Sequence, residues 1–206
     1  MRHLPFAVLA FGLAAQPALA QDRPAYMPTR DVSIAYRANS DGTAGVPPGG
    51  TELRMSWLAA RGLIRVDLPA GQGWMIIDTR SGEPGFLVME AQRMMMDLPR
   101  GQSPVASMTP SATARFTRED TARVANLPCT NWRMEDQGQT SRICLTSDGV
   151  MLRAESLTGG AARARLEATA VTFGTQDAAR FQRPAGYQTF QMPAGLPGSP
   201  GVPGGG

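Results

Sequence analysis

Hydrophobic and polar residues alternate along most of the chain with a period of two, which puts each set on one face of a β-strand. Leu53, Met55 and Trp57 alternate with Glu52, Arg54 and Ser56. After Ala59-Ala60-Arg61-Gly62, the residues Ile64, Val66 and Leu68 alternate with Arg65 and Asp67. Folding this segment about the four-residue loop sets Trp57 against Ile64, Met55 against Val66 and Leu53 against Leu68, all on one face, so pattern and register agree on a hairpin. Trp74 to Asp78 and Phe86 to Met89 are apolar on both faces and read as central strands covered on both sides. Arg93 to Leu98 returns after a short break. Further strands are expected over Ala114 to Arg118, Cys129 to Glu135, Ser141 to Thr146, Val150 to Ser156 and Arg165 to Phe173. Asp148-Gly149 reads as a two-residue turn that would set Leu145 opposite Leu152. Helix signals are few: Thr175 caps one short segment, residues 21–30 read as helical or irregular, and Pro104 and Pro110 mark residues 101–113 as a loop.

The two ends do not read as folded domain. Residues 1–20 have Arg2 and His3 ahead of a short apolar run, Phe6 to Ala15, and end in Ala18-Leu19-Ala20. Those are the three parts of a cleaved secretory signal peptide. Gln21, not Cys, follows, so no lipid anchor is expected, and no later stretch is apolar enough to cross a bilayer. Residues 193–206 read PAGLPGSPGVPGGG, too rich in Gly and Pro to bury an apolar core, and are expected to be a disordered tail. One β-rich domain over 21–192 remains.

Composition then narrows the chemistry. Every one of the 20 basic residues is Arg, and His3 is the single histidine. After removal of the signal peptide the chain has neither Lys nor His, which excludes Ser-His-Asp triads, Cys-His pairs, imidazole metal sites and Schiff-base lysines. Charge is near balance and no basic run occurs, so nucleic acid is not an expected partner. Cys129 and Cys144 flank a segment whose midpoint falls between Asp136 and Gln137; a hairpin centred there sets them directly across from each other, close enough for a disulfide in an oxidising periplasm. A redox-active pair would need Cys-x-x-Cys spacing, which is absent.

Methionine is concentrated at Met89, Met94, Met95 and Met96, near Met55 and Met75. Thioethers are soft ligands for Cu(I), but they also fill irregular apolar space. Alternation splits Met95 from Met94 and Met96, so a pliable core or cavity is the plainer reading and no metal site is assigned. The carboxylates Asp67, Asp78, Glu90, Asp97 and Asp148 show no spacing that singles out an acid/base pair.

A family resemblance follows from Arg65-Val66-Asp67-Leu68-Pro69, Ile77-Asp78, Met94 to Pro99, Ala125 to Trp132, Cys144 to Arg153 and Phe181 to Tyr187. Their order resembles a proteobacterial family of exported proteins of unknown function, itself similar to the outer-membrane lipoprotein carriers of the LolA/LolB type. The resemblance spans about residues 31–193. It implies a mainly β fold, a strongly curved antiparallel sheet or incomplete barrel with one to three short helices over a hydrophobic cavity, and it offers no catalytic residues.

The expectation is a non-catalytic periplasmic protein, without cofactor, that binds a lipid, acyl chain or lipidated partner. Met55, Trp57, Ile64, Val66, Trp74, Ile76, Val88, Met94 and Met96 are the apolar residues expected to hold it. A cell-envelope interaction domain with a filled core is the alternative, with Met-based Cu(I) binding behind it. Oligomeric state is left open.

Overall fold

The computed structural model describes residues 23–40, 50–81, 83–98, 109–158 and 161–190; the signal segment and the Pro/Gly tail lie outside them. Twelve strands form one sheet: β1 (Val32–Ser40), β2 (Thr51–Leu58), β3 (Leu63–Asp67), β4 (Trp74–Asp78), β5 (Phe86–Met89), β6 (Met94–Asp97), β7 (Arg115–Val124), β8 (Leu127–Asp136), β9 (Gln139–Leu145), β10 (Met151–Thr158), β11 (Ala161–Phe173) and β12 (Gln188–Phe190). Their order is β12-β6-β5-β4-β3-β2-β1-β11-β10-β9-β8-β7. All described pairs are antiparallel except β12 with β6. Among the described residues the helices are short 3-10 turns at Ala59–Arg61, Pro69–Gly71 and Ala178–Phe181.

The sheet is an incomplete barrel. Its curl brings β7 back into contact with β11, although three strands separate them in the order, while β7 and β12 remain open edges. The concave face is therefore the one on which Val124 and Cys129 from β7 and β8 join Val32, Ile34 and Tyr36 of β1 and Met55, Ile64 and Val66 of β2 and β3 in one core. Tyr36 is fully buried there, and its hydroxyl donates to the Met151 carbonyl at 2.7 Å. Burial, with Tyr26 adding to it, holds that hydroxyl protonated well above the ordinary phenol range.

The β2–β3 register is the expected one, with Met55 opposite Val66 and Trp57 opposite Ile64. Strand β1 was not expected from the sequence. Val32, Ile34, Tyr36 and Ala38 do alternate and Asp41-Gly42 follows them, but one partner of β1, β11, lies far along the chain. The expected strand at 114–118 runs on to Val124 as an edge strand whose exposed side chains include Thr117, Arg118, Asp120 and Arg123, a composition that reads as loop.

Two turn expectations are corrected. Cys129 and Cys144 are bonded, with Cα atoms 5.4 Å apart, but they are not opposite each other: Cys144 faces Asn131. The turn is Gln137-Gly138, with φ of 48° and 77°, which suits a two-residue hairpin with left-handed central residues. The ladder is thereby shifted by two positions, and Cys129 reaches Cys144 from two residues along the same face. Likewise Leu145 faces Met151, not Leu152. Here Thr146 N donates to Val150 O around a three-residue loop with Gly149 left-handed at φ 82°, and a bulge at Leu152 restores the register at Arg153 opposite Cys144. Glycine is required at 149 for a second reason: a Cβ there would collide with the Met27 carbonyl.

Two stability measurements check this core. Tyr36→Phe should cost about 1–3 kcal/mol in urea unfolding, since the Met151 carbonyl is left buried without its donor; an unchanged midpoint would show that water replaces the hydroxyl. Replacing both cysteines with Ala should cost roughly 3 kcal/mol, the chain-entropy value for a loop of this length, read from the same curves.

Candidate ligand-binding groove

Residues 23–31 run as an irregular strap across the concave face. Pro24 and Pro28 keep it from forming a helix. Arg23 donates to the carbonyls of Ser111 and Ala112, Thr29 N donates to Asp148 O at 3.0 Å, and Arg30 pairs with Asp148 at 2.6 Å while its guanidinium lies 3.7 Å from the Phe173 ring centre. Tyr26 packs against Phe116, and burial, aided by nearby Asp136, pushes its hydroxyl up to about 12.

Under the strap lies a small apolar cavity of about 30 Å³, walled by Tyr26, Met27, Pro28, Met55, Trp57, Ile64, Gly149 and Met151. Next to it opens a groove of about 570 Å³, which shares Met27, Pro28 and Trp57 and continues past Ala59 and Ile77 to a polar rim of Asp78, Thr79 and Arg80. The rim is committed to turn structure. Asp78 accepts from the backbone of Arg80 and Ser81, and Arg80 donates to the Ala60 carbonyl at 2.9 Å. Trp57 stands between cavity and groove. Its Nε1 is buried and has no hydrogen-bond partner, an uncommon condition for an indole N–H.

The nine expected binding residues do not form one site. Met55, Ile64 and Val66 lie in the concave core with Trp57 packed against it, whereas Trp74, Ile76 and Val88 face the other way into a second cluster with Leu58, Leu63, Phe86, Met95 and Phe181. Met94 and Met96 are half-buried on the concave face of β6, opposite Met89 and Leu87. Strand alternation explains the split: the strands that read as apolar on both sides present one face to each cluster. The strap residues Tyr26, Met27 and Pro28 were missed, because an irregular segment carries no periodic signal.

A second strap covers the outer cluster. After β11 the chain passes through Ala178–Phe181 to β12, burying Phe181. Arg65 lies 4.0 Å from the centre of the Trp74 ring and donates to Arg180 O at 2.7 Å. Arg183 pairs with Asp97 and sits over Phe86. Glu90 accepts from Trp74 Nε1 at 2.7 Å and from the Tyr187 hydroxyl. Asp31 ties both straps together: its carboxylate accepts from Ala59 N at 2.8 Å and Gln176 N at 3.0 Å.

An open, curved, mostly antiparallel sheet with strapped faces is thus the class of fold. No known family model matches the chain, and no curated protein matches it. Among solved structures it is similar to an uncharacterized conserved protein from Thermus thermophilus, at 14% identity and TM-score 0.55, over 80% of this chain and 91% of that one. It is also similar to MucB, solved in complex with MucA(peri), at 12% identity and TM-score 0.51 over 79% of this chain; the match spans 57% of MucB. A LolA superfamily protein from Nitrosomonas europaea aligns over 77% of this chain at 9% identity, with a TM-score of 0.34 that bears no weight. The first two likenesses are of fold alone.

The outer strap has a pH dependence of known sign. The hydrogen bonds from Tyr187 and then Trp74 hold the Glu90 carboxyl below its usual range. A carboxyl depressed in the folded state contributes stability that is present above its unfolded pKa and is lost as pH falls through the folded one. Acid titration followed by Trp fluorescence should therefore show the strap loosening below the ordinary carboxylate range, and Glu90→Gln should flatten that limb.

Proposed function

We propose that the protein is a non-catalytic binding protein of the cell envelope, exported by cleavage after residue 20, whose groove beside Trp57 holds an apolar chain: a lipid, an acyl chain or a lipidated partner. The observation that carries this reading is the unpartnered Trp57 indole N–H in an otherwise apolar wall. A buried donor without an acceptor is costly, and a ligand that brings an ester, amide or carboxyl oxygen to it removes that cost. The groove has room for part of such a chain. The disulfide suits an oxidising compartment, and the absence of His and Lys beyond residue 20 leaves no imidazole or amine to activate a nucleophile. Residues 21–192 are the proposed folded unit, with 193–206 a tail.

A second reading rests on the tightness of the strap cavity, about 30 Å³. In it the concave face is filled by the protein itself and the surface binds an envelope protein, as MucB is solved bound to MucA(peri).

Native mass spectrometry of protein purified from periplasm separates the two. A co-purifying lipid or lipopeptide near one per chain supports the groove; an unliganded mass supports the filled core. With a fatty acid as probe, Trp57→Phe should weaken binding by about 1 kcal/mol, roughly fivefold, the net worth of one hydrogen bond.

A further inference from the structure

We propose that Met89, Met94 and Met96 form a site for a soft monovalent cation, Cu(I), on the concave face of β5 and β6. The sequence placed these thioethers near one another but could not say which share a face. The β5–β6 register does so: Met89 lies directly opposite Met94, and Leu87 opposite Met96. Directly opposed residues have Cβ atoms about 4.5–5.5 Å apart, and two residues along one strand are about 6.7 Å apart. The three side chains thus start from one patch two strands wide, and the flexible Met side chain can bring its sulfur inward. Met95 points through the sheet into the outer cluster and is excluded.

Two further observations separate this patch from ordinary core. Met89, Met94 and Met96 are half-buried, yet among the described residues they join none of the three packed clusters, whereas Met55, Met75, Met95, Met134 and Met151 all do. The neighbouring carboxylates Glu90 and Asp97 belong by alternation to the opposite face, where they pair with Trp74, Tyr187 and Arg183, so among the described residues of β5 and β6 the concave side of the patch carries no charge. A neutral, all-thioether patch disfavours divalent and hard cations, which need carboxylate or carbonyl oxygen, and suits Cu(I). The only cysteines are tied in the disulfide, so no thiolate competes for the ion. Nothing in this site depends on the Trp57 groove.

The test uses Ag(I) as a redox-inert probe on the full chain, with the Met methyl groups labelled for NMR. The methyl signals of Met89, Met94 and Met96 should shift together and saturate at one ion per chain, while those of Met55 and Met95 stay in place. Replacing all three with Leu should weaken Ag(I) binding by at least about tenfold, and Met95→Leu should leave it unchanged. Absence of binding, a triple variant that binds equally well, or shifts confined to Met95, Met108 or Met192 would overturn the site. The wild-type shifts identify the ligands even where the triple variant folds poorly. Fatty-acid binding, measured in parallel, reports on the groove independently.

Discussion

The architecture depends on one strand being in the middle. β1 is the first strand of the chain, yet it pairs with its sequence neighbour β2 on one side and with β11 on the other. The meander β2–β6 and the meander β7–β11 could each form from local hairpins, but only β1 joins them into one sheet. Val32, Ile34 and Tyr36, each fully buried, make that junction the apolar centre of the concave face. The cost is topological: a pairing across most of the chain closes a long loop before its contacts form. The reward is a sheet continuous enough to curl, so that β7 and β8 deliver Val124 and the disulfide to the same core. A bulge between Ala35 and Tyr36 lies at this seam and adds local twist where the two halves meet.

An open curved sheet leaves two apolar faces to cover, and among the described residues both are covered by straps whose longest helix is the single 3-10 turn Ala178–Phe181. Each strap is fastened by arginine lying on an aromatic ring: Arg30 on Phe173 and Arg23 on Phe116 at the N-terminal strap, Arg65 on Trp74, Arg93 on Tyr187 and Arg183 on Phe86 at the C-terminal one. A planar guanidinium can stack on a ring and still donate in its own plane, as Arg65 does to Asp67 and to the Arg180 carbonyl; an ammonium cannot do both. The all-arginine composition is thereby given a structural use.

Much of the sheet was legible because period two is a strong signal where a strand is half-buried. The strands Trp74 to Asp78 and Phe86 to Met89 were placed to the residue, and Met55–Val66 was placed in register. Failures came where local signals were silent or ambiguous. β1 takes one of its partners, β11, from far along the chain, β7 is an edge strand that wears a loop's composition, and the two mis-centred hairpins turn on whether one residue accepts a left-handed conformation. The candidate site was half legible: Met55, Trp57, Ile64 and Val66 were grouped correctly on one face. Trp74, Ile76 and Val88 belong to the other, because a strand apolar on both sides does not tell which side is hollow. The straps could not be read at all, since their contacts are Arg–ring and carboxylate–backbone pairs between residues far apart in sequence.

The reliance on arginine also shapes how the molecule presents itself to reactive chemistry. With no lysine in 206 residues, the fasteners of both straps carry no primary amine. Acylating reagents, aldehydes and amine-directed crosslinkers find only the α-amino group, and neither strap can be neutralised by acetylation. The guanidinium stays charged at any pH at which the protein is folded, so the cationic half of each fastening is constant and only its acidic partners respond to the surroundings.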